Sequence, residues 1–262
     1  MRSSNPLHEP AAHLPDGVKM PMLGFGTWQI SGEQCRRAVA TALGAGYRHL
    51  DTAAMYRNEA EVGQALVDSG LPREDVFITT KLLPADAARA REALDDSLAV
   101  LNVPSVDLYL IHSPPEEGGP GIWEQLLAAR EEGLARAVGV SNYSIEEVDE
   151  LIEATGVAPA VNQVRWAPSV HDPVFLAESA ERGVVVEGYS PFRSSDLEDQ
   201  TLGAIADAHD VTPAQVVLRW HLHHDIVVIP KSVTPRRIRA NADIFGFSLT
   251  ADEVARIDAL AG

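Results

Sequence analysis

A (β/α)8 TIM barrel, an eight-stranded parallel α/β fold with a short N-terminal β-hairpin, is the fold class this sequence predicts, and three observations predict it. Short apolar runs of strand length alternate with longer stretches of helical periodicity, the arrangement that builds a parallel sheet covered by helices. Eight such runs can be counted along the chain. The length of 262 residues suits one barrel of about 250 residues, and no repeat, low-complexity segment or composition break marks a second unit. A single domain over residues 1–262 is therefore expected, with an open doubly wound sheet as the alternative.

The elements follow in order. Residues 1–13 are polar and expected to form a flexible tail. Pro15-Asp16-Gly17 is a turn signal, and Val18 to Met22 supply a strand for the small hairpin. The first barrel strand is placed at Met22-Leu23-Gly24. A helix over Ser31–Leu43, with Ser31 and Glu33 near its start, precedes the strand Tyr47–Leu50, which ends at Asp51. Glu59–Ser69 is the next helix, and Val76–Thr80 the next strand, with Lys81 just beyond it. Ala85–Leu101 is helix, and Val106–Ile111 is a strand ending at His112. Gly118 to Gly121 reads as a strand-to-helix loop before the helix Ile122–Glu132 and the strand Ala137–Ser141. Helices over Ser144–Ala154 and Pro173–Arg182 flank a strand ending near Gln163. Val184–Val186 leads into Tyr189, Ile226–Ile229 is the last strand, and a helix begins near Pro235.

Charge narrows the function classes. With 21 basic and 38 acidic residues the net charge is −17, which repels phosphate backbones and argues against nucleic acid as a partner. There is no apolar stretch of signal-peptide or membrane-spanning length, so no membrane association and a cytoplasmic location are expected. The only cysteine, Cys35, cannot form an internal disulfide.

Parallel barrels gather their strand C-termini on one face, where sites are built. Asp51, Tyr56, Lys81 and His112 stand at or near three such ends and are expected to meet there. A phenol is neutral at pH 7 and still has a proton to give. Lys81 supplies positive charge for its conjugate base, Asp51 holds the ammonium, and His112 hydrogen-bonds the same carbonyl oxygen. Hydride must come from a cofactor. The Gly-x-Gly-x-x-Gly fingerprint is absent, since Gly24-Phe25-Gly26 lacks a third glycine and the strand-to-helix context. Instead Lys231, Ser232, Arg236, Arg237 and Arg239 surround a helix start after the last strand, a phosphate site in the making.

Several segments, in this order and spacing, resemble the aldo-keto reductase superfamily, from about Gly17 to Ala259. They are Leu23-Gly24-Phe25-Gly26-Thr27-Trp28, Asp51-Thr52-Ala53 with Tyr56, Lys81, His112, Gly139-Val140-Ser141-Asn142, Asn162-Gln163, Tyr189-Ser190-Pro191 and Ile229-Pro230-Lys231-Ser232. The resemblance implies a bacterial-type barrel that binds NADPH in extended form and transfers hydride to an aldehyde or ketone. It makes Tyr56 the proton donor, tuned by Lys81 and Asp51, with His112 orienting the carbonyl. Ser141, Asn142 and Gln163 would hold the nicotinamide carboxamide, and Tyr189 would stack on the ring. Lys231, Ser232 and Arg237 would clamp the 2′-phosphate, so NADPH should be preferred over NADH, and Asn241 would contact adenine. Gly26, Thr27, Trp28, Asp51, Ser190, Pro191, Phe192 and Val233 complete the implied cofactor set. Trp28, Met55, Tyr56, Leu83, His112 and Ser113 would line the substrate pocket, with Trp166 a further candidate. A monomer is implied as well.

This chain also departs from the family pattern. Ala240 stands where an acidic or amide residue is usual, and Phe192-Arg193 replaces Leu-Gly, so weaker cofactor binding is expected. The loop Ser113–Gly121 is short and the chain ends at Gly262 just after its last helix pattern, so an open pocket with high Michaelis constants for small aldehydes is expected. His221, His223 and His224 do not have the i, i+4 spacing of a helical ligand pair, so no metal site is expected. Two other functions compete with the reductase: a nicotinamide-binding sensor that turns over slowly, and a cofactor-free isomerase or lyase using Lys81 as a Schiff-base amine.

Overall fold

The computed structural model describes residues 10–115, 119–193 and 195–261. Residues 1–9 of the expected tail and Gly118 of the expected loop lie outside the described residues. Residues 11–13, assigned to the tail by sequence, instead form β1 (Ala11–His13), paired antiparallel with β2 (Lys19–Pro21) around a 3-10 turn at Pro15–Gly17. Apolar burial explains the difference. Leu14, Val18 and Met20 join Phe77, Leu108, Leu110, Val161 and Val227 in one buried cluster, so the hairpin closes the end of the barrel opposite the strand C-termini.

The barrel then runs β3 (Phe25–Gly26), α1 (Gly32–Gly44), β4 (His49–Asp51), α2 (Glu59–Ser69), β5 (Phe77–Leu82), α3 (Ala90–Leu101) and β6 (Val106–Ile111). It continues with α4 (Gly119–Glu131), β7 (Ala135–Ser141), α5 (Ile145–Thr155), β8 (Val161–Arg165), α6 (Pro173–Glu181) and β9 (Val185–Tyr189). The last elements are α7 (Gln200–His209), α8 (Pro213–His223), β10 (Val227–Ile229), α9 (Pro235–Ala242) and α10 (Ala251–Asp258). Strands β3 to β10 lie side by side in chain order, each parallel to the next.

The seam between first and last strands closes through Gly24 N to Val228 O at 2.9 Å, Val228 N to Met22 O at 2.9 Å and Gly26 N to Pro230 O at 3.1 Å. Backbones approach this closely because no side chain intervenes. A Cβ on Gly26 would stand 2.9 Å from Ile229 O, and one on Gly24 would stand 2.6 Å from the His49 ring. The expected strand at Met22–Gly24 thus forms the seam, while regular pairing with β4 begins at Phe25. Other boundaries move little. Lys81 lies inside β5, Gly119 already belongs to α4, and a 3-10 segment over Pro84–Arg89 replaces the expected first turn of α3. Among the described residues no helix is long and apolar enough to cross a membrane.

Candidate active site

Strand alternation puts Phe77, Thr79 and Lys81 on the inner face of β5 and turns Thr80 outward, where its hydroxyl donates to the buried Glu59 of α2 at 2.5 Å. Lys81 therefore reaches the barrel axis, where its ammonium is almost fully buried. It donates to Asp51 Oδ1 at 2.8 Å, Asp51 Oδ2 at 2.7 Å and Thr52 O at 2.9 Å, and lies 3.3 Å from the Tyr56 hydroxyl. Burial disfavours the charge, but Asp51 and the Tyr56 oxygen outweigh it and hold the Lys81 pKa above the ordinary lysine value. Tyr56 ends a 3-10 turn at Ala54–Tyr56, and burial raises its pKa more than Lys81 lowers it, so the phenol keeps its proton. The His112 ring meets the Tyr56 ring edge-on, centroids 5.7 Å apart, and burial with the Lys81 charge lowers its pKa to about 4. His112 is thus neutral, and its buried Nδ1 has no partner among the described residues.

Below this group runs a polar column that the sequence did not disclose. Gln163 Nε2 donates to Asp51 Oδ2 and to Glu187 Oε2, both at 2.8 Å. Glu187 is wholly buried; desolvation first, and Asp51 second, raise its pKa to about 8. Its other oxygen lies 3.6 Å from His49 Nε2. Burial lowers the His49 pKa to about 3, and its ring is within 3.2 Å of the Thr79 hydroxyl and 3.4 Å of Pro21 O in the hairpin. Asn58 is a second missed residue. It accepts from the Thr52 hydroxyl at 2.7 Å and donates to Thr27 O and Ile30 O at 2.9 and 2.8 Å, tying the loop after β3 to the loop after β4. Only the strand-end residues carried a sequence signal; Glu187 sits inside an apolar run, and the two carbonyls that Asn58 donates to are 31 and 28 positions away.

Above Lys81 opens a cleft of about 720 Å³. Of the residues expected at the site, Gly26, Trp28, Asp51, Met55, Tyr56 and His112 line it together with Ser141, Asn142, Gln163, Tyr189, Ser190, Pro191, Phe192 and Lys231. Leu83, Ser113, Thr27, Ser232, Val233, Arg237 and Asn241 do not. Thr27 is buried with its hydroxyl on Asp51 O at 2.9 Å, and Ser232, Val233, Arg237 and Asn241 lie on or just before α9, in continuation of Lys231. Trp166 is a correction to the expectation: it is buried against His171 and Phe175 rather than turned to the cleft. Arg165, Arg193, Gln29 and Ile229 are additional lining residues, and Arg193 sits over the Trp28 ring at 5.5 Å. Gln29, Asn142 and Ser190 all hold left-handed backbone, φ 58°, 62° and 55°, so conformational strain concentrates at this mouth.

The cleft suits an extended nicotinamide dinucleotide. Ser141, Asn142 and Gln163 present amide and hydroxyl groups along one wall, and the Tyr189 hydroxyl donates to Asn142 Oδ1 at 2.8 Å, which fixes its ring beside them. The exposed Lys231 lines the cleft beside Gly26, and the exposed Arg237 stands in the first turn of the following helix α9.

The aldo/keto reductase family profile matches residues 22–261. The chain belongs to the aldo/keto reductase family. It is accordingly an oxidoreductase acting on carbonyl and hydroxyl groups. Among family members, an aldo-keto reductase of Mycolicibacterium smegmatis is 43% identical over 256 residues, covering 96% of this chain and 93% of the relative. The methylglyoxal reductase DkgA of Escherichia coli K12 is 42% identical over 253 residues, covering 93% and 90%. A crystal structure of a Bombyx mori aldo-keto reductase in complex with NADP superposes with a TM-score of 0.91 at 33% identity, covering 97% of this chain and 93% of that one.

Proposed function

We propose that this aldo/keto reductase uses NADPH to reduce small aldehydes, ketones and dicarbonyls, with Tyr56 as the proton donor. The observation that carries the reading is the Tyr56 hydroxyl 3.3 Å from a Lys81 ammonium that Asp51 holds by two oxygens, at the floor of the cleft. Bound NADPH supplies the hydride. Tyr56 donates its proton to the carbonyl oxygen, and the negative charge left on the phenol oxygen is met by Lys81 at once. With no acceptor beside its Nδ1 among the described residues, the single proton of His112 belongs on Nε2, where it can donate to the same carbonyl oxygen. Ser141, Asn142, Gln163 and Tyr189 hold the nicotinamide, and Lys231, Ser232 and Arg237 take the 2′-phosphate, giving NADPH preference over NADH.

Methylglyoxal reduction by the Escherichia coli relative supports dicarbonyls as the first substrates to try. The raised Lys81 pKa argues against the Schiff-base alternative, because an ammonium is a poor nucleophile. A cytoplasmic monomer completes the proposal. The test is NADPH and NADH consumption by purified protein with methylglyoxal and aromatic aldehydes, alongside Tyr56→Phe. Loss of at least about a hundredfold in turnover with NADPH binding retained supports it; undiminished turnover in the variant refutes it.

A further inference from the structure

Outside the catalytic cleft, three ligand-bearing side chains from three separate elements converge. His171 follows the 3-10 turn Pro168–Val170 after β8, His224 caps the C-terminus of α8, and Asp258 is the last residue of α10. Each offers one ligating atom, and these atoms all lie within 4.8 Å of one another. His224 Nε2 is 2.9 Å and His171 Nε2 3.8 Å from Asp258 Oδ1. None of the three lines the catalytic cleft.

We propose that His171, His224 and Asp258 form a structural site for a divalent transition ion of the zinc type. Such an ion takes imidazole nitrogen and carboxylate oxygen at about 2.0–2.2 Å, which separates tetrahedral ligand atoms by about 3.3 Å. The two separations from Asp258 Oδ1 bracket that value, and all three ligand atoms lie within 4.8 Å of one another, so side-chain adjustment about these positions would complete the set. Two imidazoles and one carboxylate favour zinc-type ions over magnesium or calcium, which prefer all-oxygen shells.

Two further features fit a ligand rather than a plain hydrogen-bonded cluster. The His171 side chain is only 8% exposed, yet neither ring nitrogen makes a hydrogen bond among the described residues, and Nδ1 is buried without a partner. A polar ring is not left so by packing alone without cost. The carboxylate is already oriented: Trp220 Nε1 donates at 2.7 Å to Asp258 Oδ1, the oxygen that faces both histidines, the kind of second hydrogen bond that fixes metal-binding carboxylates. His171 is held between aromatic rings, edge-on to Trp220 at 5.3 Å and to Trp166 at 6.0 Å.

The ion would replace the His224-to-Asp258 hydrogen bond, His224 binding as its Nδ1–H tautomer and leaving Nε2 for the metal. A fourth position remains for water. By tying the β8 loop, the end of α8 and the last turn of α10 together, the site would staple the C-terminal helix to the barrel. The sequence did not show it because the α8 histidines divide: His221 turns inward to Val217 O at 2.8 Å, His223 is exposed, and only His224 faces Asp258.

The experiment uses the full chain without an affinity tag, stripped with chelator. Calorimetric titration with Zn(II) alone should give one ion per chain. Co(II) should give the intense visible bands of a four-coordinate site, and the thermal midpoint should rise by about 5–10 °C at roughly a hundredfold excess over Kd. His171→Gln and His224→Gln should each abolish the cobalt bands and the midpoint shift, whereas His223→Gln keeps both. Absence of saturable binding, a six-coordinate cobalt spectrum, or binding that survives both ligand substitutions overturns the proposal. Because metal-free variants are compared with metal-free wild type, a variant that only loosens the fold is recognised by its lower starting midpoint, and the cobalt spectrum of the other variant then decides. The readouts are independent of carbonyl reduction.

Discussion

Replacing Glu187 by Gln should remove a large part of this protein's pH-dependent instability. Glu187 is wholly buried, and desolvation together with the nearby Asp51 lifts its pKa from 4.5 to about 8. In the unfolded chain the same carboxyl titrates near 4.5, so above that pH the unfolded state sheds a proton the folded state still holds. Stability is therefore complete below about pH 4.5, declines as pH rises toward 8, and stays at the lower value beyond it. At about 1.4 kcal/mol per pKa unit the span is worth up to roughly 5 kcal/mol. A glutamine has the shape of the protonated acid: its carbonyl can still accept from Gln163, and its amide faces His49. Urea unfolding of both proteins at about pH 5 and about pH 9 reads the effect. The wild type should lose several kcal/mol more than the variant between the two values. Parallel losses in the two proteins would refute a neutral, burial-raised Glu187.

Three other outcomes are expected. Asn58→Ala should destabilise the fold by about 2–4 kcal/mol in urea unfolding, because it deletes three buried hydrogen bonds and strips the Ile30 carbonyl of its side-chain donor, while Thr27 O keeps only the Ile30 N–H; a loss under about 1 kcal/mol would contradict the bracing role. Lys231→Met should weaken NADPH binding by about ten- to a hundredfold, measured by fluorescence titration, with NADH little affected, if the ammonium pairs with the 2′-phosphate. Cys35, buried in α1 with its pKa pushed up to about 12, should be inert to a disulfide reagent in native protein and react fully in urea.

Much of the candidate site was legible in the sequence, for a topological reason. Asp51, Lys81 and His112 each sit at the C-terminal end of an apolar run, and a parallel barrel brings all such ends to one mouth whatever the loops do. Tyr56 follows Asp51 closely enough to come with it. The alternation of strands and helices also set the element order, because central strands such as β5 and β6 are buried on both faces and a helix such as α5 on one.

Only the tertiary structure decided what lies beneath and behind that mouth. Gln163 meets Asp51 across 112 positions and Glu187 across 24, and no local pattern states that three strands will face these groups at one level of the axis. Glu187 interrupts an apolar run and carries no periodicity of its own; its neutral state follows from burial, which exists only once the barrel has closed. The hairpin strand Ala11–His13 looked like tail because its role is to cover an opening that the other strands create. Asp258, His171 and His224 meet only where α10 packs on α8. The sequence determines chemistry at positions whose placement is set by local periodicity and chain order, whereas pairings across the barrel axis and between packed helices come from closure and packing, which no single segment encodes.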